Sequence, residues 1–103
     1  MIESEIERKL VAAVRHHGGK AYKLVSPGNN GMPDRLVLLP DGKVYFVELK
    51  TDTGRLSLNQ RMQIGRLQRL KQNVRVLYGM KDVEKFIDEI KDIEAPETTV
   101  CLD

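Results

Sequence analysis

Ile2, Ile6, Leu10 and Val14 recur every four residues, with Ala13 on the same side, and this spacing predicts an amphipathic helix ending at Gly18-Gly19. Ala21 to Val25 then reads as a short strand, and Ser26 to Pro33, dense in turn formers, as a loop. Two strand-forming runs follow, Asp34 to Leu39 and Lys43 to Lys50. The Pro40-Asp41-Gly42 turn between them predicts an antiparallel hairpin. Ser57 and Gln60 have the spacing of a helix capping box, and Met62, Leu67 and Leu70 give the helix that follows a broad apolar side. Arg75 to Tyr78 predicts a fourth strand, parallel to a neighbour because a helical crossover precedes it. Val83, Phe86, Ile87 and Ile90 define a last helix. Residues 1–94 therefore read as one α/β domain, and 95–103, without usable periodicity, as a flexible acidic tail.

A chain of 103 residues suffices for one domain and not for two. No apolar run approaches the roughly 18 residues of a membrane span, so no membrane partner is expected. The acidic start, Glu3 and Glu5, lacks the basic-then-apolar order of a secretory signal, and the expected compartment is the cytoplasm. Cys101 is the single cysteine, which excludes an intrachain disulfide and a thiolate metal cluster within one chain.

Charge changes the picture more. The net charge of +2 conceals an asymmetry, because residues 53–81 contain Arg55, Arg61, Arg66, Arg69, Lys71, Arg75 and Lys81 but no acid. From Asp82 onward eight acids stand against two lysines. A polyanion is attracted to the first part and repelled by the second. The same arginines also suit the solvated face of a helix, so charge alone does not choose.

The chemistry lies in the hairpin. Alternation along Val44 to Lys50 puts Glu48 and Lys50 on one face with Leu49 opposite. Asp34 opens one strand and Glu48 lies near the end of its partner. Two carboxylates there make an oxygen-rich pocket suited to magnesium, with the Leu49 carbonyl as a third ligand. Such a cation polarises a phosphodiester and acidifies a water, and Lys50 is placed to neutralise the phosphorus centre. Read structurally instead, Asp34 is a turn residue and Glu48 and Lys50 a same-face ion pair. His16 and His17 end the first helix, where capping its last carbonyls is expected.

Ile6-Glu7-Arg8-Lys9-Leu10, Ser26-Pro27-Gly28, Gly31-Met32-Pro33-Asp34-Arg35, Phe46-Val47-Glu48-Leu49-Lys50 and Gly54-Arg55-Leu56-Ser57 with Gln60 together resemble the VRR-NUC domains. These belong to the restriction-endonuclease-like superfamily of Pro-Asp…Glu-x-Lys nucleases, here in its stand-alone phage and bacterial form. The resemblance covers residues 3 to about 90. It implies an α-β-β-β-α-β core with a mixed sheet flanked by helices, and an Mg2+- or Mn2+-dependent phosphodiesterase. It also implies a first-helix glutamate completing the site, Glu7 matching better than Glu3, and a catalytic role near Gln60, which the capping box would explain without catalysis. Ser26, Arg35, Arg55, Arg61, Arg66 and Arg69 are the nucleic-acid-binding candidates. Small members look like Holliday-junction resolvases that act as homodimers, which suggests branched or junction DNA as substrate and a bacterial or phage-infected cell as the setting. The aromatic content of 5% without Trp favours backbone recognition over base stacking.

Overall fold

The computed structural model describes residues 2–91. The chain runs α1 (Glu3–His16), β1 (Lys20–Lys23), β2 (Arg35–Leu38), β3 (Val44–Lys50), α2 (Leu58–Arg69), β4 (Asn73–Tyr78) and α3 (Gly79–Ile90). This is the expected α-β-β-β-α-β order with α3 added. The expected tail from Ala95 onward lies outside the described residues.

The strands form one mixed sheet in the order β1-β2-β3-β4. β1, β2 and β3 pair antiparallel, and β4 joins β3 in parallel after the crossover through α2. The hairpin closes where Gly42, at φ +91, donates to the Leu39 carbonyl and Lys43 N–H bonds the Asp41 carboxylate. β1 is displaced toward the N-terminus from its expected span. Leu24 still donates to the Asp34 carbonyl, but Val25 is exposed as the chain turns into the loop.

One face of the sheet carries the core. Val37, Tyr45, Val47, Leu49 and Leu77 point toward Ile6, Leu10 and Val14 of α1 and Val83, Phe86 and Ile90 of α3. The four-residue spacing of α1 buries one stripe, and Tyr45 meets Phe86 edge to face at 5.3 Å. Each such aliphatic side chain contributes about 1.5–3 kcal/mol of transfer free energy. α1 runs in the same direction as β2. Its C-terminal end packs Gly19 against the Leu38 carbonyl and Leu39, while Glu7 in its first half meets Arg35 at the start of β2. The N–H groups of Gly18 and Gly19 satisfy the last carbonyls of α1. His17 is the C-cap residue, its backbone N–H donating to the Ala13 carbonyl, while the His16 and His17 rings meet edge to face at 5.2 Å.

α2 lies on the opposite face, since Gln60 reaches Glu48, whose side chain points away from Val47 and Leu49. Its contact with the sheet differs from expectation. Ile64 is its buried residue, whereas Met62 is 51% and Leu70 65% exposed, because α2 packs over β4 at one side of the sheet. The row Tyr22, Leu36, Phe46 and Val74 crosses this face, and Tyr22 is left half exposed at its outer end.

Candidate active site

Pro33 is fully buried and fixes the backbone entering Asp34, whose side chain turns toward β3. Asp34 Oδ2 accepts from the Leu49 N–H at 3.0 Å, so the carboxylate opening β2 is tied to the backbone between Glu48 and Lys50. Glu48 is the buried charged residue of the described chain, 2% exposed. Lys50 Nζ stands 3.4 Å from Glu48 Oε2, as same-face alternation requires. Gly54 folds back over Lys50. A Cβ at Gly54 would lie 3.2 Å from the Lys50 Cβ, so the loop after β3 lies against the lysine stem.

Gln60 forms the expected capping box and also reaches the buried carboxylate. The Ser57 hydroxyl accepts from Gln60 N–H at 3.1 Å, and the Gln60 side-chain oxygen accepts from Ser57 N–H at 2.8 Å, completing the capping box. The amide nitrogen of that side chain remains, and it donates to Glu48 Oε2 at 3.1 Å. An amide carries an acceptor and two donors, so one side chain starts α2 and holds the buried carboxylate. The loop before β2 supports the same place. A Cβ on Gly31, at φ +90, would come 2.7 Å from the Gln60 backbone nitrogen, a contact only glycine permits.

Burial first, and then the neighbouring Asp34 carboxylate, push the Glu48 carboxyl from its ordinary 4.5 up to about 7, against the opposing pull of Lys50. Glu48 Oε1 is buried and has no hydrogen-bond partner. A buried carboxylate oxygen without a partner, beside a second carboxylate, is the donor set a hard divalent cation takes. The residues present therefore fit such an ion.

The sequence candidates divide. Asp34, Glu48, Lys50 and Gln60 come together. Glu7 instead pairs with Arg35, and among the described residues no group of three acidic, His or Cys side chains converges. Arg35 points inward: its side chain is 13% exposed, bonded to Glu7 and to the Ala21 carbonyl. Ser26 accepts from Asn29 within its loop. Arg55, Arg61, Arg66 and Arg69 are exposed. Two features had escaped the sequence reading. The seating of Gly31 on α2 has no local signal beyond the glycine itself. Arg8 and Arg15 stand seven residues apart, Arg8 directly after Glu7, and their common stripe emerges only when the helix is wound.

The family model described as "VRR-NUC domain" matches residues 3–81. A solved structure titled "VRR_NUC domain" superposes with a TM-score of 0.79 at 31% identity, over 84% of this chain and 94% of that one. "Putative nuclease p44" of Acyrthosiphon pisum secondary endosymbiont phage 1 is 62% identical over 48 residues, 47% of this chain. The match spans about half, 52%, of that relative's length.

Proposed function

The chain belongs to the VRR-NUC domain family, and on that premise we propose that it is a divalent-metal-dependent endonuclease hydrolysing phosphodiester bonds in DNA. The observation that carries this reading is the unpartnered Glu48 oxygen beside Asp34 and Lys50. Asp34, Glu48 and the Leu49 carbonyl would hold Mg2+ or Mn2+. Bound there, the ion supplies Lewis acidity toward the phosphodiester and lowers the pKa of a water.

The protein's own groups do the rest. Glu48 must be ionised to serve, so Gln60 and Lys50 donate to one of its oxygens and leave the other open. The Lys50 ammonium neutralises charge that builds on the phosphorus in the transition state. Asp34 is oriented by the Leu49 N–H. Glu7 is held by Arg35, the residue after Asp34, and would complete the acidic set only on release from that arginine. Arg55, Arg61, Arg66 and Arg69 bind backbone phosphates and carry affinity without sequence choice. The cytoplasm of a bacterial or phage-infected cell is the setting.

Branched or junction DNA is the proposed substrate, cut by a homodimer. Symmetric resolution of a four-way junction needs two centres, and each chain offers one. Val37, Leu39, Tyr45 and Leu77 are buried in the core of a single chain and offer nothing to a partner. The surface left for a second copy is the sheet face beside α2, where Tyr22 is 50% and Leu38 37% exposed, with Phe46 half buried. Light scattering should give about twice 11.7 kDa. A competing reading, a non-catalytic nucleic-acid-binding module, needs only the arginines.

Linear, flap and four-way-junction DNA incubated with magnesium, manganese, calcium or EDTA separates them. Expected are cleavage with magnesium or manganese, loss of it in EDTA, and inactive but DNA-binding Asp34→Asn and Glu48→Gln variants. Cleavage by either variant at the parent rate would overturn the site.

A further inference from the structure

We propose that the cleft along the outer flank of α1 binds backbone phosphates of the DNA strand on one side of the scissile bond, with Arg8 and Arg15 as its cations; this rests on the nuclease reading. The cleft has a volume of about 490 Å³ and is lined by Ser4, Glu7, Arg8, Val11, Arg15 and Arg35 among others. Ser4, Arg8 and Arg15 fall on one stripe of the helix. Seven residues at 1.5 Å rise set the two arginines about 10 Å apart, a span that covers about three base-pair rises of about 3.4 Å along a duplex axis.

The charge in this cleft is available. Among the described residues Arg8 and Arg15 make no ion pair or side-chain hydrogen bond, and both are exposed. The one carboxylate in the lining, Glu7, is taken by Arg35. Two guanidinium groups therefore border a concave surface with no acid left to neutralise them. Their forked donors match phosphate oxygens in pairs, and the Ser4 hydroxyl adds a further donor.

Position distinguishes this cleft from an ordinary solvated helix face. Arg35 follows Asp34 directly, so the Glu7–Arg35 pair joins the cleft to the catalytic end of the sheet. Arg8 is the residue after Glu7, and Arg15 lies two turns farther along α1. The α2 arginines stand across the sheet, on the face that Gln60 and Glu48 share. A strand crossing the catalytic edge is then held by α2 on one side of the cut and by α1 on the other. This predicts a contribution confined to one flank of the substrate.

The test compares the parent, the Arg8→Gln/Arg15→Gln double variant, and a charge-matched Lys9→Gln/Lys85→Gln control whose residues lie outside the cleft. DNA affinity is measured against salt in calcium. Two lost phosphate contacts should flatten the log–log slope by about 1.8, so that the affinity gap to the parent narrows about twelvefold between 50 and 200 mM salt. Cleavage of duplexes trimmed stepwise from either end gives the second readout, and shortening one flank alone should abolish the difference between parent and double variant. An equal slope change in the control, or a loss indifferent to which flank is trimmed, would overturn the cleft. A parent that cleaves while the double variant matches it throughout overturns the cleft alone. A parent that neither binds nor cleaves DNA overturns the nuclease reading beneath it.

Discussion

Glu48→Gln should stabilise the metal-free protein while abolishing cleavage. Folding holds the Glu48 carboxyl near 7, against an ordinary 4.5, so between these values the folded chain keeps a proton that the unfolded chain has lost. Stability then falls as pH rises from about 4.5 to about 7 and is level outside that window, because the folded state binds more protons there. At 1.36 kcal/mol per pH unit the loss amounts to about 3 kcal/mol above pH 7. The Glu48 side chain is only 3% exposed, so solvent screening does not reduce this figure as it would at a surface. Glutamine keeps the shape and an acceptor for Gln60 and Lys50 but carries no charge. At pH 8 in EDTA the variant should exceed the parent by up to about 3 kcal/mol, on the order of 10–20 °C in Tm. At pH 4.5 the two should agree within about 1 kcal/mol. Thermal melts at half-unit pH steps measure the difference curve, in which other titrating groups cancel. Magnesium added at pH 8 should raise the Tm of the parent and leave the variant unmoved. A variant less stable than its parent at pH 8 would refute the reasoning, since Lys50 would then more than compensate the buried charge.

Gly31→Ala should lower kcat at least tenfold with the fold retained, because the first turn of α2 must shift and carries Gln60 off Glu48; circular dichroism and single-turnover rates check this. Glu7→Gln should reduce metal-dependent cleavage far more than Glu3→Gln, since only Glu7 reaches Arg35 beside Asp34; equal effects in a rate comparison would count against Glu7. Replacing Arg61, Arg66 and Arg69 together with Gln should weaken binding to all DNA sequences alike and flatten the salt slope by up to about 2.7, read by titration at four salt concentrations.

What could be read ahead of the structure was whatever the backbone period imposes. Glu48 and Lys50 share a face because strand side chains alternate, and the Pro40-Asp41-Gly42 turn sets a register that brings Asp34 to the Leu49 N–H. Helix α2 was harder. Leu58, Met62, Ile64, Leu67 and Leu70 are spread around it, so the apolar pattern does not select one side, and docking over β4 chose Ile64. The resemblance singles out Glu7 over Glu3 on α1, but whether its carboxylate meets a metal site or Arg35 depends on an ion pair between groups 28 residues apart. Capping and contact with Glu48 are compatible in Gln60 because its amide carries both an acceptor and donors.

The stability lost at Glu48 and the proposed affinity for metal have one origin. A carboxylate with one oxygen held by Gln60 and Lys50 and the other buried without a partner is poorly solvated in the free protein. The same arrangement means that a cation replaces no hydrogen bond at that oxygen when it binds. Had a backbone N–H filled the position, the fold would gain stability and the carboxylate would lose basicity toward a metal. Lys50 alone does not remove the strain, because the same-face geometry lets its ammonium approach the oxygen that Gln60 already holds, leaving the open one to a ligand. Sites of this kind exchange stability for an unpartnered carboxylate oxygen, and the surrounding capping box, Gly31 contact and Gly54 turn hold that oxygen in place.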